Sequence, residues 1–220
     1  MANVPKNVSA LINTAGSAAI VVAGMLLGGC THNITVRSPP NFSNTQTEKI
    51  KTRTLLIISD SLSNYVYKGT GSTPQVSGLS WLDTWIFPLG QPTSDLLRKG
   101  VPLIFEEVEV AAESPPSNDL KGPAYGLILK PSIESFDFGS GPPSWVKIKY
   151  KMEVRDSNGK MVFQETATGR GESKAGRFDI GGKTSLAKAA DDAVQSGVKL
   201  LLDSLSRMSF VTQGGAEAPR

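Results

Sequence analysis

Between residues 185 and 207, Leu186, Ala189, Ala190, Ala193, Val194, Val198, Leu201, Leu202 and Leu205 recur at helical spacing. They lay one apolar stripe along a helix of about six turns. A helix of this kind is stable only when its stripe is covered. The surface that covers it is legible at residues 146–154, where Val146, Ile148, Tyr150, Met152 and Val154 alternate with Lys147, Lys149, Lys151 and Glu153. Period-two alternation makes a strand with one face in a core and one in water. Gly197 lies on the helical stripe at a cost of up to about 1 kcal/mol relative to Ala, which marks it as a point where a strand comes close.

The intervening sequence supplies the other elements. Residues 54–59 (TLLIIS) form a continuous apolar run, the pattern of a strand covered on both faces in the middle of a sheet. Thr93-Ser94-Asp95 offers N-cap chemistry to a brief helix through Leu96 and Leu97 that stops at Gly100 and Pro102. Residues 105–111 read as a strand, and residues 125–138 as a longer one whose Pro131 marks an edge or a bulge. Asp156-Ser157-Asn158-Gly159 carries the residues of a tight hairpin turn, so residues 161–171 return antiparallel to 146–154. The fold class this predicts is α+β: a two-layer sandwich with a mostly antiparallel sheet of about five strands, covered by a long C-terminal helix and a short helix.

Composition removes several kinds of chemistry. One cysteine among 220 residues leaves no disulfide framework and no thiolate zinc site, and one histidine, His32, leaves no multi-histidine metal site. No metal and no cofactor is expected. The 23 basic and 20 acidic residues are spread along the chain without the basic stripe that nucleic acids require, so no nucleic-acid partner is expected either.

The cysteine stands in a specific context. Lys6 is the one charged side chain before Arg37, and it precedes an uncharged stretch at residues 15–27 (AGSAAIVVAGMLL). That stretch suits a signal-peptide core and falls short of the roughly 20 apolar residues of a spanning helix. Leu27-Gly28-Gly29-Cys30 follows directly and resembles the bacterial lipobox, in which a leucine and two small residues precede a cysteine that is diacylated and becomes the new N-terminus. The resemblance implies cleavage between Gly29 and Cys30, lipidation of Cys30 with fatty acids such as palmitate, and, since Thr31 rather than Asp follows, export to the periplasmic face of the outer membrane. Two or three acyl chains, at about 0.8 kcal/mol per buried methylene, make such an anchor effectively permanent. The alternative is a cysteine buried in an ordinary apolar helix.

The expected organisation is therefore a signal peptide at 1–29, an acylated N-terminus and flexible tether at 30–51, a periplasmic α+β domain at 52–210 and a disordered tail at 211–220. The tether contains Pro39-Pro40 and no apolar period, and at about 3.3 Å per residue it would reach roughly 65 Å. His32 falls in it and reads as a solvated linker residue.

Two motifs suggest catalysis or nucleotide binding and lack a necessary part. Residues 56–62 (LIISDSL) resemble the first block of the lipases and esterases with a Gly-Asp-Ser-Leu signature, with Ser61 as nucleophile and Ser59 in the place of the glycine. That family draws a histidine from near the C-terminus, whereas this chain has none after His32, so Ser61 lacks an imidazole to take its proton. Gly182-Lys183-Thr184 resembles the end of a phosphate-binding loop, but Arg177 occupies the position of its first glycine. It reads as a turn with Thr184 as N-cap, and no nucleotide is expected. Asp191 and Asp192 read as the polar side of the last helix, and Lys147, Lys149 and Lys151 as a basic row that keeps an open face soluble.

The remaining candidate is the segment at 81–87 (WLDTWIF), in a stretch otherwise made of Gly, Ser, Thr and Pro. Trp81, Trp85 and Phe87 either fold onto the core or present a partner-binding surface. The order of elements over residues 54–208 is similar to that of small periplasmic lipoproteins serving transport, curli secretion and penicillin-binding proteins. This likeness implies a non-enzymatic accessory or adaptor in a cell-envelope assembly, with an envelope protein or a second copy of the chain as partner. The alternatives are a carrier holding a lipid or other hydrophobe between helix and sheet, and a serine esterase using Ser61.

Overall fold

The alternation at 146–154 extends at both ends into a strand of 13 residues, and the stripe at 185–207 becomes a helix of 25. The computed structural model describes residues 31–38, 48–70, 83–112, 125–140, 142–174 and 182–208. The expected signal peptide, Cys30, Trp81 and the expected tail lie outside them. In chain order the elements are β1 (Thr31–Asn33), β2 (Ile50–Ile57), α1 (Asp60–Ser63), β3 (Val66–Gly69), β4 (Thr84–Pro88), α2 (Gly90–Gly100), β5 (Phe105–Ala111), β6 (Leu127–Gly139), β7 (Ser144–Asp156), β8 (Met161–Ser173) and α3 (Lys183–Arg207).

The fold is α+β. Its main sheet has the order β5-β2-β6-β7-β8 and is mixed. β2 runs parallel to β5 and β6, while the longer β6–β7 and β7–β8 ladders are antiparallel. The apolar run therefore lies inside the sheet as expected, with Leu55, Leu56 and Ile57 buried. β2 accompanies β6 only from Leu127 to Leu129, so β6 has lost that neighbour by Pro131, and its register breaks between Ile133 and Ser135. Pro131 thus marks an edge with a bulge beyond it. The hairpin turn forms as read: Asp156 Oδ1 accepts from the N–H groups of Asn158 and Lys160, both at 2.9 Å, and Gly159 takes a positive φ of 77°.

Val146, Ile148, Tyr150, Met152 and Val154 are buried beneath α3 together with its stripe of alanines, valines and leucines. The contact is backbone on backbone. A methyl group at Gly169 would strike the Ala193 carbonyl oxygen, one at Gly171 the Ala189 carbonyl oxygen, and one at Gly197 the Tyr150 ring. The close approach read from Gly197 is real, and β8 answers it with two glycines of its own. Ser196 ties the same contact from the side: its Oγ accepts from the Arg170 N–H at 3.0 Å and lies 3.0 Å from the Arg170 carbonyl. Gly182, at φ 72°, caps α3 by backbone conformation alone, which corrects the assignment of Thr184 as N-cap. α2 likewise begins earlier than Thr93, at Gly90, and Thr93 and Ser94 are buried within it.

A second sheet, β1-β4-β3, is absent from the sequence reading. β1 runs parallel to β4, with Thr31 opposite Thr84 and His32 opposite Trp85, and β3 runs antiparallel to β4 on its other side. The first part of the expected flexible tether is therefore folded. Ile34 and Val36 are buried, the Ile34 N–H donates to the Ile86 carbonyl at 3.0 Å, and the Arg37 N–H donates to Asp191 Oδ1 at 2.7 Å. Two apolar residues at alternate positions were too few to register as a period, yet they suffice where a sheet edge is available to pair with.

Candidate functional site

Two places gather chemistry-bearing side chains. The first is the entry of the chain into the small sheet. Trp85 and Phe87 alternate with Ile86 along β4 and so point to one face. That face is the core: Trp85 is 2% exposed and Phe87 0%, and their rings meet Phe138 at 5.9 and 4.8 Å. Phe136 and Tyr67 complete the aromatic cluster. As partner-binding residues, Trp85 and Phe87 are accordingly corrected: both anchor the small sheet to β6 and present nothing to solvent.

His32 changes its role in the same way. Its ring stacks on Trp85 with centroids 4.3 Å apart and planes 21° from parallel, and its Nε2 lies 3.4 Å from Asp83 Oδ2, outside hydrogen-bond geometry but at a distance where a protonated ring would pair with the carboxylate. It is a packed residue of a strand rather than a solvated linker. Asp83 and the strand beside it were missed, because Trp85 and Phe87 are a single pair of inward positions, too short an alternation to stand out. Asp191, read as a solvated carboxylate, is half-buried against the Arg37 N–H, and that burial raises its carboxyl above the usual range while Arg37 acts in the opposite direction.

The second place is a crevice of about 370 Å³ where β2 leaves β6, lined by Ile57, Ser59, Ala112, Lys130, Pro131, Ser132 and Glu153. It forms because β2 ends in α1, whose N-cap Ser59 accepts from the Leu62 N–H at 3.3 Å, while β6 continues past it. Ser61, the expected nucleophile of the esterase alternative, shares a 2.9 Å hydrogen bond with Ser59 Oγ. The imidazole such a reading requires is in the other sheet, stacked on Trp85. Glu153 is a poor substitute as a base: hydrogen bonding from Lys151 at 2.7 Å, reinforced by Arg155, lowers its pKa against the opposing effect of burial. What these groups offer is binding through hydroxyls, one ammonium and a short apolar wall.

The open face of the main sheet is nearly self-neutralised. Lys149 Nζ pairs with Glu134 at 2.8 Å and Lys151 Nζ with Glu153 at 2.7 Å, and Lys147 stands opposite Asp137 in the ladder. The basic row therefore projects little net charge toward a partner. Between α3 and β8 the backbones touch, which leaves no room there for a lipid. A smaller apolar cavity of about 150 Å³ lies at the other end of the sheet, among Ile50, Thr52, Phe105, Gly126, Leu127 and Met208. Among the described residues no helix is long and apolar enough to cross a membrane.

No protein-family model matches the chain, and no curated protein does. Solved structures with a similar outline include protein XCC0632 of Xanthomonas campestris, of the family DUF330, at 14% identity and a TM-score of 0.49, covering 86% of this chain and 99% of that one. A putative lipoprotein of Caulobacter crescentus CB15 gives 8% identity and a TM-score of 0.38 over 56% of this chain and 83% of that one. Lipoprotein GNA1162 of Neisseria meningitidis gives 12% identity and 0.30 over 71% and 99%. None of these scores reaches 0.5, so the functional reading rests on this chain's own residues.

Proposed function

We propose that the chain is an outer-membrane lipoprotein, anchored through acylated Cys30, whose periplasmic domain serves without catalysis as an accessory or adaptor of a cell-envelope assembly. The observation that carries this reading is Leu27-Gly28-Gly29-Cys30 directly after the uncharged stretch at 15–27.

The test is a mild crosslink in intact cells of the native protein beside a Cys30→Ala version, followed by mass spectrometry of the N-terminus and of whatever is captured. An acylated Cys30 with one recurrent envelope protein is the expected result. Acylation with copurifying lipid and no protein would replace the adaptor with a carrier, and an unmodified Cys30 on an uncleaved chain would remove the anchor.

A further inference from the structure

We infer that two copies of the chain join edge to edge along β8, antiparallel about a two-fold axis at Thr166, so that the main sheet continues from one copy into the other. The inference goes beyond the anchor and adaptor reading and depends on neither. β8 is the last strand of the main sheet. The Arg170 N–H and carbonyl turn away from β7 toward Ser196 Oγ. Backbone direction alternates along an antiparallel strand, so Gln164, Thr166 and Thr168 present their N–H and carbonyl groups outward as well. Among the described residues these groups have no partner. The free run is bracketed by Ser196 at Arg170 and by the break in register opposite Met161 and Phe163, and Thr166 is its centre. Residues 161–169 (MVFQETATG) hold no lysine and no proline, the residues that keep an exposed edge from pairing.

The occupant that fits this edge is a second copy. With Thr166 opposite Thr166, Gln164 of each copy faces Thr168 of the other, each pair exchanging two backbone hydrogen bonds. Glu165, the one charged residue of the run, then faces Ala167, whereas an axis at Glu165 would set two carboxylates side by side. The helices leave room for this pairing. α3 touches β8 at Gly171 and Gly169, then crosses the sheet diagonally until Met208 lies by Ile50, Phe105 and Leu127 of the far strands. The lower half of β8 is therefore left uncovered, and Met161 and Val162 are 40% and 47% exposed there. Leu200, 45% exposed, stands one turn beyond Ser196 on the same side of α3 and looks past the edge. The two-fold axis covers all three: Met161 and Val162 fall beside Gly171 and Arg170 of the other copy, and the two Leu200 side chains face each other across it.

The experiment measures the mass of the full-length chain in detergent solution by light scattering, native and with Thr166→Lys, and oxidises Thr166→Cys and Gln164→Cys chains in intact cells. Across the axis the two Thr166 Cα atoms would lie about 5.5 Å apart, within disulfide reach, and the two Gln164 residues roughly 13 Å apart along the strands. The native protein is expected as a two-copy particle, and Thr166→Cys is expected to form a covalent dimer where Gln164→Cys does not. Thr166→Lys, at an exposed position, sets two ammonium groups face to face and is expected to give single copies with an unchanged melting temperature. A single-copy native particle, a dimer that survives Thr166→Lys, or equal crosslinking at the two cysteine positions would overturn the inference. Crosslinking of the Thr166→Cys chain to a different protein in place of a second copy would give the edge another occupant and overturn it as well.

Discussion

The two sheets of this molecule are secured in different ways. The main sheet meets α3 through Gly169, Gly171 and Gly197, with main chain against main chain. The small sheet is held through side chains, chiefly Trp85 and Phe87 against Phe136 and Phe138, with Ile34 and Val36 beneath the entering strand. A backbone contact has no rotamer to relax, so added volume must move the whole helix; an aromatic cluster repacks and loses stability by degrees.

The largest effect expected from this difference follows Gly169→Val or Gly171→Val. Either places a branched side chain against an α3 carbonyl, and either is expected to cost about 3 kcal/mol or more, measured by urea unfolding. A loss under about 1 kcal/mol would show that α3 is not seated on β8 as described. Phe87→Ala comes next, at about 3–5 kcal/mol for a fully buried aromatic side chain, and should leave the β6–β7–β8 amides protected in hydrogen exchange. Ser196→Ala removes the hydroxyl that serves both backbone groups of Arg170 and is expected to cost about 1 kcal/mol. Lys149→Ala, at a half-exposed pair with Glu134, should change stability by about 0–1 kcal/mol.

Asp191 adds a pH dependence to the small sheet. Burial raises its pKa, so the folded state holds this proton more tightly than the unfolded chain does. Its contribution is therefore most favourable at low pH and declines as pH rises from the ordinary carboxylate value through the raised one. Asp191→Asn keeps an acceptor for the Arg37 N–H, so the variant should be more stable than the native protein at neutral pH, with the difference shrinking on acidification. A difference constant with pH would place the carboxylate in water.

Legibility in the sequence divides along the same line. The stripe of α3, the alternation of β7 and the hairpin at 156–159 were readable because each repeats a period over enough residues to stand out. Gly197 was readable as a close approach, whereas Gly169 and Gly171 were passed over because alternate glycines on a strand look like weakness until a helix is laid on them. β1 and β4 were not readable. Ile34 and Val36, or Trp85 and Phe87, are single pairs of inward positions, and a parallel pairing between segments more than 50 residues apart leaves no local trace. His32 and Asp83 were misread for that reason: their environment is made by the pairing. Ser61 was legible in both directions, as a resemblance and as a nucleophile without its base.

The central claim is that residues 31–38 are folded onto the small sheet and α3, where a flexible tether was expected. Hydrogen exchange at the Ile34 and Arg37 amides of the full-length protein tests it most directly, since these two donate to Ile86 and Asp191. The account predicts that both exchange slowly, in step with Ile86 of β4. Exchange of both at the rate of an unstructured peptide would contradict it and return residues 31–38 to the role of a flexible tether.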